Sequence, residues 1–92
     1  MSDEKAPPVR IPIDGILDLH TFQPRDAPSV VAEYIRACRE KGITDVRIIH
    51  GKGRGVLRRT VHAVLQKHPD VSGFRLDPGA SGWGATLVLL KK

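Results

Sequence analysis

The residues best suited to acid–base chemistry are two histidines, His20 and His50, which each end a short apolar segment. Histidine exchanges its proton near neutral pH, so two of them beside one phosphate could act as general base and general acid in phosphodiester cleavage. With RNA, the base could activate the adjacent 2′-hydroxyl, whereas with DNA water must attack. Asp18, two residues before His20, could orient that ring or its loop through hydrogen bonds.

The same carboxylate offers a second interpretation, because Asp18 and His20 form an oxygen and nitrogen pair two residues apart. Such a pair could ligate Mg²⁺ or Mn²⁺, but two ligands are a weak metal signature, so this interpretation ranks second. No cofactor is required by the sequence. A single histidine at a strand end is more often structural or simply exposed. The remaining histidines, His62 and His68, are interpreted as surface or packing residues.

A glycine-rich basic loop, Gly51 to Gly55, follows His50 and leads at once into an amphipathic segment. Glycine reaches positive φ without steric cost, and a helix start offers unpaired N–H groups at the positive end of its dipole. The loop therefore predicts an anion site, with phosphate the favoured anion. It is not a P-loop, because the Gly-Lys-Ser/Thr ending is absent, and its spacing is not the dinucleotide fingerprint. The residues predicted to hold a nucleic-acid backbone are Gly51, Lys52, Gly53, Arg54, Gly55, Arg58 and Arg59.

The excess positive charge of the chain is concentrated around this loop. Six of the 15 Lys and Arg residues lie between Asp45 and Asp70, an interval without Asp or Glu, and the formal net charge is +5. The rest of the chain is close to neutral. A patch of one sign beside an anion loop is typical of a surface that binds a polyanion, and a solvated helix face is the alternative.

Length and composition predict one small globular domain, with 92 residues, 40% hydrophobic and 27% charged. The single cysteine, Cys38, excludes an internal disulfide and favours a cytoplasmic location. The longest apolar run, residues 85–90, is too short to span a bilayer, so no membrane partner is expected. Residues 1–12 mix acids and prolines without periodicity and are expected to form a flexible tail before a domain at residues 13–92.

Hydrophobic periodicity predicts the element order β-α-β-α-β-β. The predicted strands cover residues 16–20, 46–50, 74–76 and 83–90, and the predicted helices run from about Asp26, as N-cap, to a stop at Gly42, and from Val56 to about His68. One buried stripe on the first helix is predicted to consist of Val31, Tyr34, Ile35 and Cys38.

Strand–helix–strand units of this length imply right-handed crossovers and at least two parallel neighbours. Ligands gather beyond the carboxyl ends of parallel strands. If the first two strands are neighbours, His20 and His50 therefore lie at one edge of the sheet, beside the glycine loop.

Three motifs of the chain resemble the Smr domain, the small MutS-related family. They are Leu17-Asp18-Leu19-His20, then Ile49-His50-Gly51-Lys52-Gly53 followed by Gly55-Val56-Leu57-Arg58, and finally Ser81-Gly82-Trp83-Gly84-Ala85-Thr86. The resemblance runs from about Ile11 to Lys91. It implies an α/β (α+β) two-layer sandwich, with two helices on a four-stranded mixed sheet, similar to the C-terminal domain of translation initiation factor three.

The resemblance also implies nuclease activity, as DNA nicking or as endonucleolytic RNA cleavage that includes messages on stalled ribosomes. Its functional residues correspond here to Asp18, His20, Gly51 and Gly53. Two positions depart from the family pattern. Thr21 replaces a usual glycine and is followed by a longer, proline-bearing loop, and Ser81 replaces the first glycine of the closing motif. Both departures change the loops near the predicted site.

The favoured function is a stand-alone Smr-type endonuclease, with His20 as the principal acid–base residue and Asp18 as its orienting partner or a metal ligand. His50 is a second catalytic candidate. The alternative is a non-catalytic module that binds nucleic acid or the ribosome through the same basic residues. A small-molecule phosphate binder is disfavoured, because no ribose-binding acidic residue follows the loop. The choice between DNA and RNA, the need for a metal and the oligomeric state stay open.

Overall fold

The computed structural model describes residues 12–51, 55–79 and 84–92. A short 3₁₀ turn, Pro24–Asp26, precedes the first helix. The other elements, in chain order, are β1 (Ile16–Asp18), α1 (Ala27–Glu40), β2 (Asp45–Ile49), α2 (Val56–Lys67), β3 (Val71–Leu76) and β4 (Ala85–Leu90). This is the predicted β-α-β-α-β-β order.

The ends of several elements differ from the prediction for local reasons. Strand β1 ends at Asp18 rather than at residue 20, because the Asp18 carboxylate accepts the backbone N–H of His20 and turns the chain. Helix α2 ends at Lys67, since His68 is extended before Pro69. Asp26 does precede α1, but its side chain makes no capping hydrogen bond, so the predicted N-cap interaction is wrong.

The four strands form one mixed sheet in the order β1-β2-β4-β3. Strands β1 and β2 are parallel, whereas β4 is antiparallel to both β2 and β3. The prediction of two parallel neighbours is therefore confirmed, and the condition that the first two strands are neighbours is met. Strands β1 and β2 end, and β4 begins, at the same end of the sheet. We call this end the loop edge, because the glycine loop leaves the sheet there.

Both helices contribute to a single core on one face of the sheet. The predicted stripe on α1 is confirmed, because Val31, Tyr34, Ile35 and Cys38 are all buried. Helix α2 adds Val61 and Leu65, and these two layers form an α+β sandwich. The opposite face of the sheet is open, since Ile16 and Leu89 remain 53% and 56% exposed. No helix in the described part of the chain is long and apolar enough to cross a membrane.

The start of β1 is fixed to helix α1 by the Tyr34 hydroxyl. This hydroxyl accepts the N–H of Gly15 at 3.0 Å and lies 3.1 Å from the carbonyl oxygen of Ile16, to which it can donate. Burial raises the pKa of Tyr34 to about 12, so the hydroxyl stays protonated and keeps its donor. The start of β1, the strand that ends at Asp18, is therefore held in place against α1.

Candidate functional site

An exposed Asp18–His20 pair lies at the loop edge, where β1 ends. Oδ1 of Asp18 is 2.8 Å from Nδ1 of His20 and 3.0 Å from the His20 backbone nitrogen. Because an ionised carboxylate only accepts, Nδ1 of His20 carries the proton of this hydrogen bond. The neutral ring then has its lone pair on Nε2, which hydrogen-bonds to no residue that the structure describes. The His20 side chain is 76% exposed, so Nε2 is available to a substrate.

The Asp18 carboxylate is held in its charged form. The hydrogen bond from the His20 backbone N–H is the main reason that the pKa of Asp18 is lowered, and the bond from the His20 ring adds to it. The negative charge of Asp18, 2.8 Å from Nδ1, favours the His20 tautomer with its proton on Nδ1. It also stabilises the imidazolium that forms when Nε2 takes up a proton.

His50 follows β2 at the same edge but is enclosed by the protein. Its ring Nδ1 lies 3.0 Å from the carbonyl oxygen of Gly51, and Nε2 lies 2.8 Å from the Thr86 hydroxyl. The residue is 7% exposed. Burial lowers the pKa of His50, and the nearby Arg58 guanidinium lowers it further, against the opposing effect of the Gly51 carbonyl. In this arrangement both ring nitrogens have protein partners, and neither is available to a substrate.

The two histidines thus share an edge but not an environment. Leu19 donates its N–H to the Ile49 carbonyl at 2.9 Å, which continues the β1–β2 pairing up to both residues. Asp18 is exposed between the buried Leu17 and Leu19, so it lies on the open face, whereas Thr86 holds the His50 ring on the helix-covered face. The predicted placement at one edge is confirmed. The two-histidine mechanism needs two accessible rings, whereas at the loop edge only the His20 ring of this pair is accessible.

The described parts of the glycine loop are its two ends. Gly51 and Gly55 have φ values of +85° and +82°, in the left-handed region that favours glycine. The N–H groups of His50 and Gly51 both donate to the Gly84 carbonyl, at 2.9 and 2.8 Å. Lys52, Gly53 and Arg54 lie outside the described residues, so their role at a phosphate stays a prediction.

Helix α2 begins directly after the loop, and its first N–H groups are unpaired among the residues that the structure describes. Gly55 occupies the N-cap position, and no side chain caps the helix. The first hydrogen bond of the helix runs from the Arg59 N–H to the Gly55 carbonyl at 2.9 Å. The N–H groups before it have no partner among the described residues, and they lie at the positive end of the helix dipole.

Arg58 lies over this helix start. A Cβ built on Gly55 would be 3.0 Å from an Nη2 atom of Arg58, so the guanidinium occupies the space that a side chain would need. Its charge also contributes to the lowered pKa of His50 and of His62. Arg59 is exposed on the same turn. Two of the predicted cations therefore lie at the end of the loop.

Two polar residues at the site were not predicted as site residues: His62 was interpreted as a surface or packing residue, and Thr86 was given no functional role. Nε2 of His62 lies 2.8 Å from the Thr86 hydroxyl, which also contacts His50. The rings of His50 and His62 are edge to face, with centroids 6.2 Å apart, and His62 packs on Phe74 at 4.9 Å. One signal could have identified Thr86, since it is the single polar side chain in the apolar sequence of β4.

His68 has the packing role that the sequence suggested. Its Nε2 lies 3.0 Å from the Ala32 carbonyl on α1, and its Nδ1 accepts the backbone N–H of Asp70 at 3.1 Å. The ring therefore joins the end of α2 to α1, away from the loop edge.

The donors at the end of β1 do not complete a metal site. Within residues 12–51, 55–79 and 84–92, no group of three or more His, Cys, Asp or Glu residues could hold a metal ion. Asp18 and His20 are hydrogen-bonded to each other, and a cation at Nδ1 would have to break that bond. The pair fits the orientation of a proton-accepting ring better than it fits chelation of Mg²⁺ or Mn²⁺.

Comparison with known proteins matches most of the chain to one family. The Smr domain model covers residues 17–91. Endonuclease MutS2 of Clostridium perfringens is 36% identical over 80 residues, which is 86% of this chain but 10% of MutS2. Ribosome rescue factor SmrB of Tolumonas auensis is 35% identical over 77 residues, or 84% of this chain and 44% of SmrB. This chain thus spans less than half the length of either relative.

Solved structures agree with the sequence comparison. The Smr domain of Thermus thermophilus MutS2 superposes with a TM-score of 0.78 at 29% identity, over 84% of this chain and 98% of that one. YdaL, a stand-alone small MutS-related protein from Escherichia coli, gives 0.79 at 30% identity, over 88% and 67% of the two chains. Because the Smr domain model matches most of its length and its fold agrees with the solved Smr structures, the chain belongs to the Smr domain family.

Proposed function

We propose that this chain is a small Smr-type endonuclease that cleaves a nucleic-acid phosphodiester with His20, oriented by Asp18. The observation that carries the proposal is the exposed Asp18–His20 pair at the loop edge, with Nε2 of His20 open to a substrate. Its relatives MutS2 and SmrB are named as an endonuclease and a ribosome rescue factor. Because this chain matches only a part of each, cleavage by this chain alone belongs to the proposal.

In the proposed reaction, Nε2 of His20 accepts the proton of the attacking oxygen, which bonds to phosphorus as the bond from phosphorus to the leaving oxygen breaks, and the leaving oxygen takes its proton from solvent. The attacking oxygen is the 2′-hydroxyl of the substrate when the substrate is RNA, and water when it is DNA. The Asp18 carboxylate stabilises the imidazolium that results, through the bond at Nδ1. Asp18 therefore acts through His20 rather than on the substrate.

The helix start and the loop would hold the scissile phosphate. The N–H groups at the beginning of α2, which have no partner in the described part of the chain, and the guanidinium of Arg58 lie next to Gly55. Positive groups aimed at the phosphate oxygens stabilise the charge that develops in the transition state. Lys52 and Arg54, from the middle of the loop, are proposed to add two more cations.

The enclosure of His50 favours a second candidate function, a non-catalytic module that docks on nucleic acid or on the ribosome. With both nitrogens of His50 engaged, His20 is the most exposed of the described histidines at the loop edge. A general acid for the leaving oxygen would then have to come from water or from the substrate. The docking module needs the same basic surface but no proton transfer.

Cleavage assays on a panel of substrates separate these functions. End-labelled single-stranded RNA, double-stranded DNA and supercoiled DNA are incubated with the protein in EDTA or in Mn²⁺. Cutting of one substrate in EDTA supports the metal-free reaction at His20, whereas cutting that requires Mn²⁺ returns Asp18 and His20 to the role of metal ligands. Salt-sensitive binding of all substrates without any cutting would support the docking module instead.

A further inference from the structure

We propose that Thr86 and His62 are positioning residues that fix His50 in one tautomer and, through it, hold Gly51 at the entrance of the glycine loop. The inference rests on the proposed function, since this loop is where the phosphate is proposed to bind. It gives His50 the role of holding the loop rather than of touching the substrate.

The hydrogen-bond partners of His50 determine the direction of each bond. The Gly51 carbonyl only accepts, so the His50 Nδ1 must donate to it, across 3.0 Å. In the neutral ring Nε2 is then an acceptor, and the single hydroxyl proton of Thr86 is donated to it, across 2.8 Å. The Thr86 oxygen is left to accept the Nε2–H of His62, also at 2.8 Å. One chain of donors therefore runs from His62 through Thr86 and His50 to Gly51.

This chain of bonds joins the two sides of the glycine loop. His50 and Gly51 stand at the end of β2, before the loop, whereas His62 belongs to α2, which begins directly after it. Thr86 lies between them on β4, fully buried and paired in register with Ile48. The strand end before the loop and the helix after it are thus joined through one hydroxyl group.

Gly51 is held from two directions. Its N–H donates to the Gly84 carbonyl, and its own carbonyl accepts the His50 ring, while its φ of +85° lets the chain turn away into the loop. Loss of the ring contact leaves the Gly84 bond to define the turn. A loop entrance with one contact instead of two samples more conformations, and a phosphate then has to order it on binding.

The surroundings of the two rings keep both in the neutral form that this chain of bonds requires. Burial lowers the pKa of His50 and of His62, and the Arg58 guanidinium on α2 lowers both further. From β3 the neighbour of His62 is Phe74, and from β4 it is Thr86. Among the described residues, no carboxylate hydrogen-bonds to either ring to favour a proton.

The test compares Thr86→Val, which removes the hydroxyl and keeps the shape, with Thr86→Ser, which keeps the hydroxyl. Long-range ¹⁵N spectra of the histidine rings at neutral pH report the tautomer, and amide hydrogen exchange reports the Gly51 N–H. We expect His50 to be protonated on Nδ1 in the wild type and in Thr86→Ser. In Thr86→Val the preference should be weaker, because Nε2 has lost its donor and only the Gly51 carbonyl favours the Nδ1 proton. Exchange at Gly51 should be about tenfold faster in Thr86→Val, relative to the Ile48 amide as an internal reference.

Two further variants keep the test decisive. Thr60→Val removes a hydroxyl elsewhere on α2 and should leave the His50 tautomer and Gly51 exchange unchanged. If Thr86→Val fails to fold, His62→Phe removes the Nε2–H at a half-exposed position and should also accelerate Gly51 exchange. A wild-type His50 protonated on Nε2, or equal Gly51 exchange in Thr86→Val and Thr86→Ser, would overturn the proposal. These readouts need no nucleic acid, so they stand apart from whether the chain cleaves.

Discussion

The Asp18 carboxylate and the His20 ring form one unit, because a single oxygen, Oδ1, bonds both Nδ1 and the backbone N–H of His20. The backbone bond ends β1, and the ring bond leaves Nε2 as the free base. The carboxylate oxygen that terminates the strand is therefore the same one that orients the His20 ring as a base.

Asp18→Asn should separate charge from geometry at this unit. The asparagine oxygen can still accept from Nδ1, but the imidazolium loses its counter-charge. We expect kcat for cleavage to fall by about ten- to a hundredfold, within the range that positioned acid–base groups contribute, with substrate affinity nearly unchanged. Single-turnover kinetics and fluorescence anisotropy measure the two quantities. A variant that cleaves at the wild-type rate would show that the carboxylate only shapes the turn.

The free energy of unfolding should fall as the pH drops below about 6.5. The pKa values of His50 and His62 are lowered in the folded protein from the ordinary value of 6.5, so the unfolded chain binds more protons. Stability is then fully present above 6.5 and is lost as the pH falls through that value toward the folded pKa values. Urea titrations at pH 7.5, 6.5 and 5.5 measure the trend. His62→Phe removes one of the two groups and should make the loss shallower. Equal stability at all three pH values would show that the rings are not buried as described.

Gly55→Ala should weaken both stability and nucleic-acid binding. Alanine at a φ of +82° is strained by about 1 kcal/mol, and its Cβ would press on Arg58. Gly42→Ala is the matched control, because its φ of +81° brings the same strain with no atom within 4 Å. Thermal unfolding should show similar losses for the two variants. Affinity for an oligonucleotide should fall in Gly55→Ala alone, and an equal fall in both would exclude a special role for the Arg58 position.

Arg58→Ala and Arg59→Ala should each reduce the salt dependence of binding. A cation that contacts a phosphate releases about one counterion. The plot of log K against log salt has a negative slope, and loss of one such cation should make it less steep by about 1. Arg36→Ala, on the exposed side of α1 where Arg36 pairs with Glu33, is the control and should leave the slope unchanged. Anisotropy titrations between low and moderate salt give the slopes. If all three variants keep the wild-type slope, the nucleic acid binds elsewhere.

Periodicity was sufficient to predict the framework of this fold. The buried stripe from Val31 to Cys38 follows from helical spacing, and the parallel neighbours β1 and β2 follow from the length of the crossover. Both were confirmed because they depend on many residues at once. The placement of His20 and His50 at one edge follows from the topology, because the two parallel strands end on the same side of the sheet.

The environments of the site residues could not be read from spacing in the same way. Both histidines end an apolar segment, yet His20 is exposed and His50 is enclosed beside α2, and this depends on which face the helices cover. The early end of β1 depends on one bond from the Asp18 carboxylate to the backbone. The His62–Thr86 contact joins residues 24 positions apart, so it depends on how α2 packs on the sheet.

The central claim is that His20 acts as the base of a phosphodiester cleavage, and its most direct test is cleavage by His20→Ala. The variant, the wild type and the exposed-surface control Gln66→Ala are assayed on the substrate that the wild type cuts, with affinity measured on the same oligonucleotide. The account predicts that His20→Ala loses cleavage by at least about a hundredfold while it binds as the control does. Undiminished cleavage by His20→Ala would contradict the account.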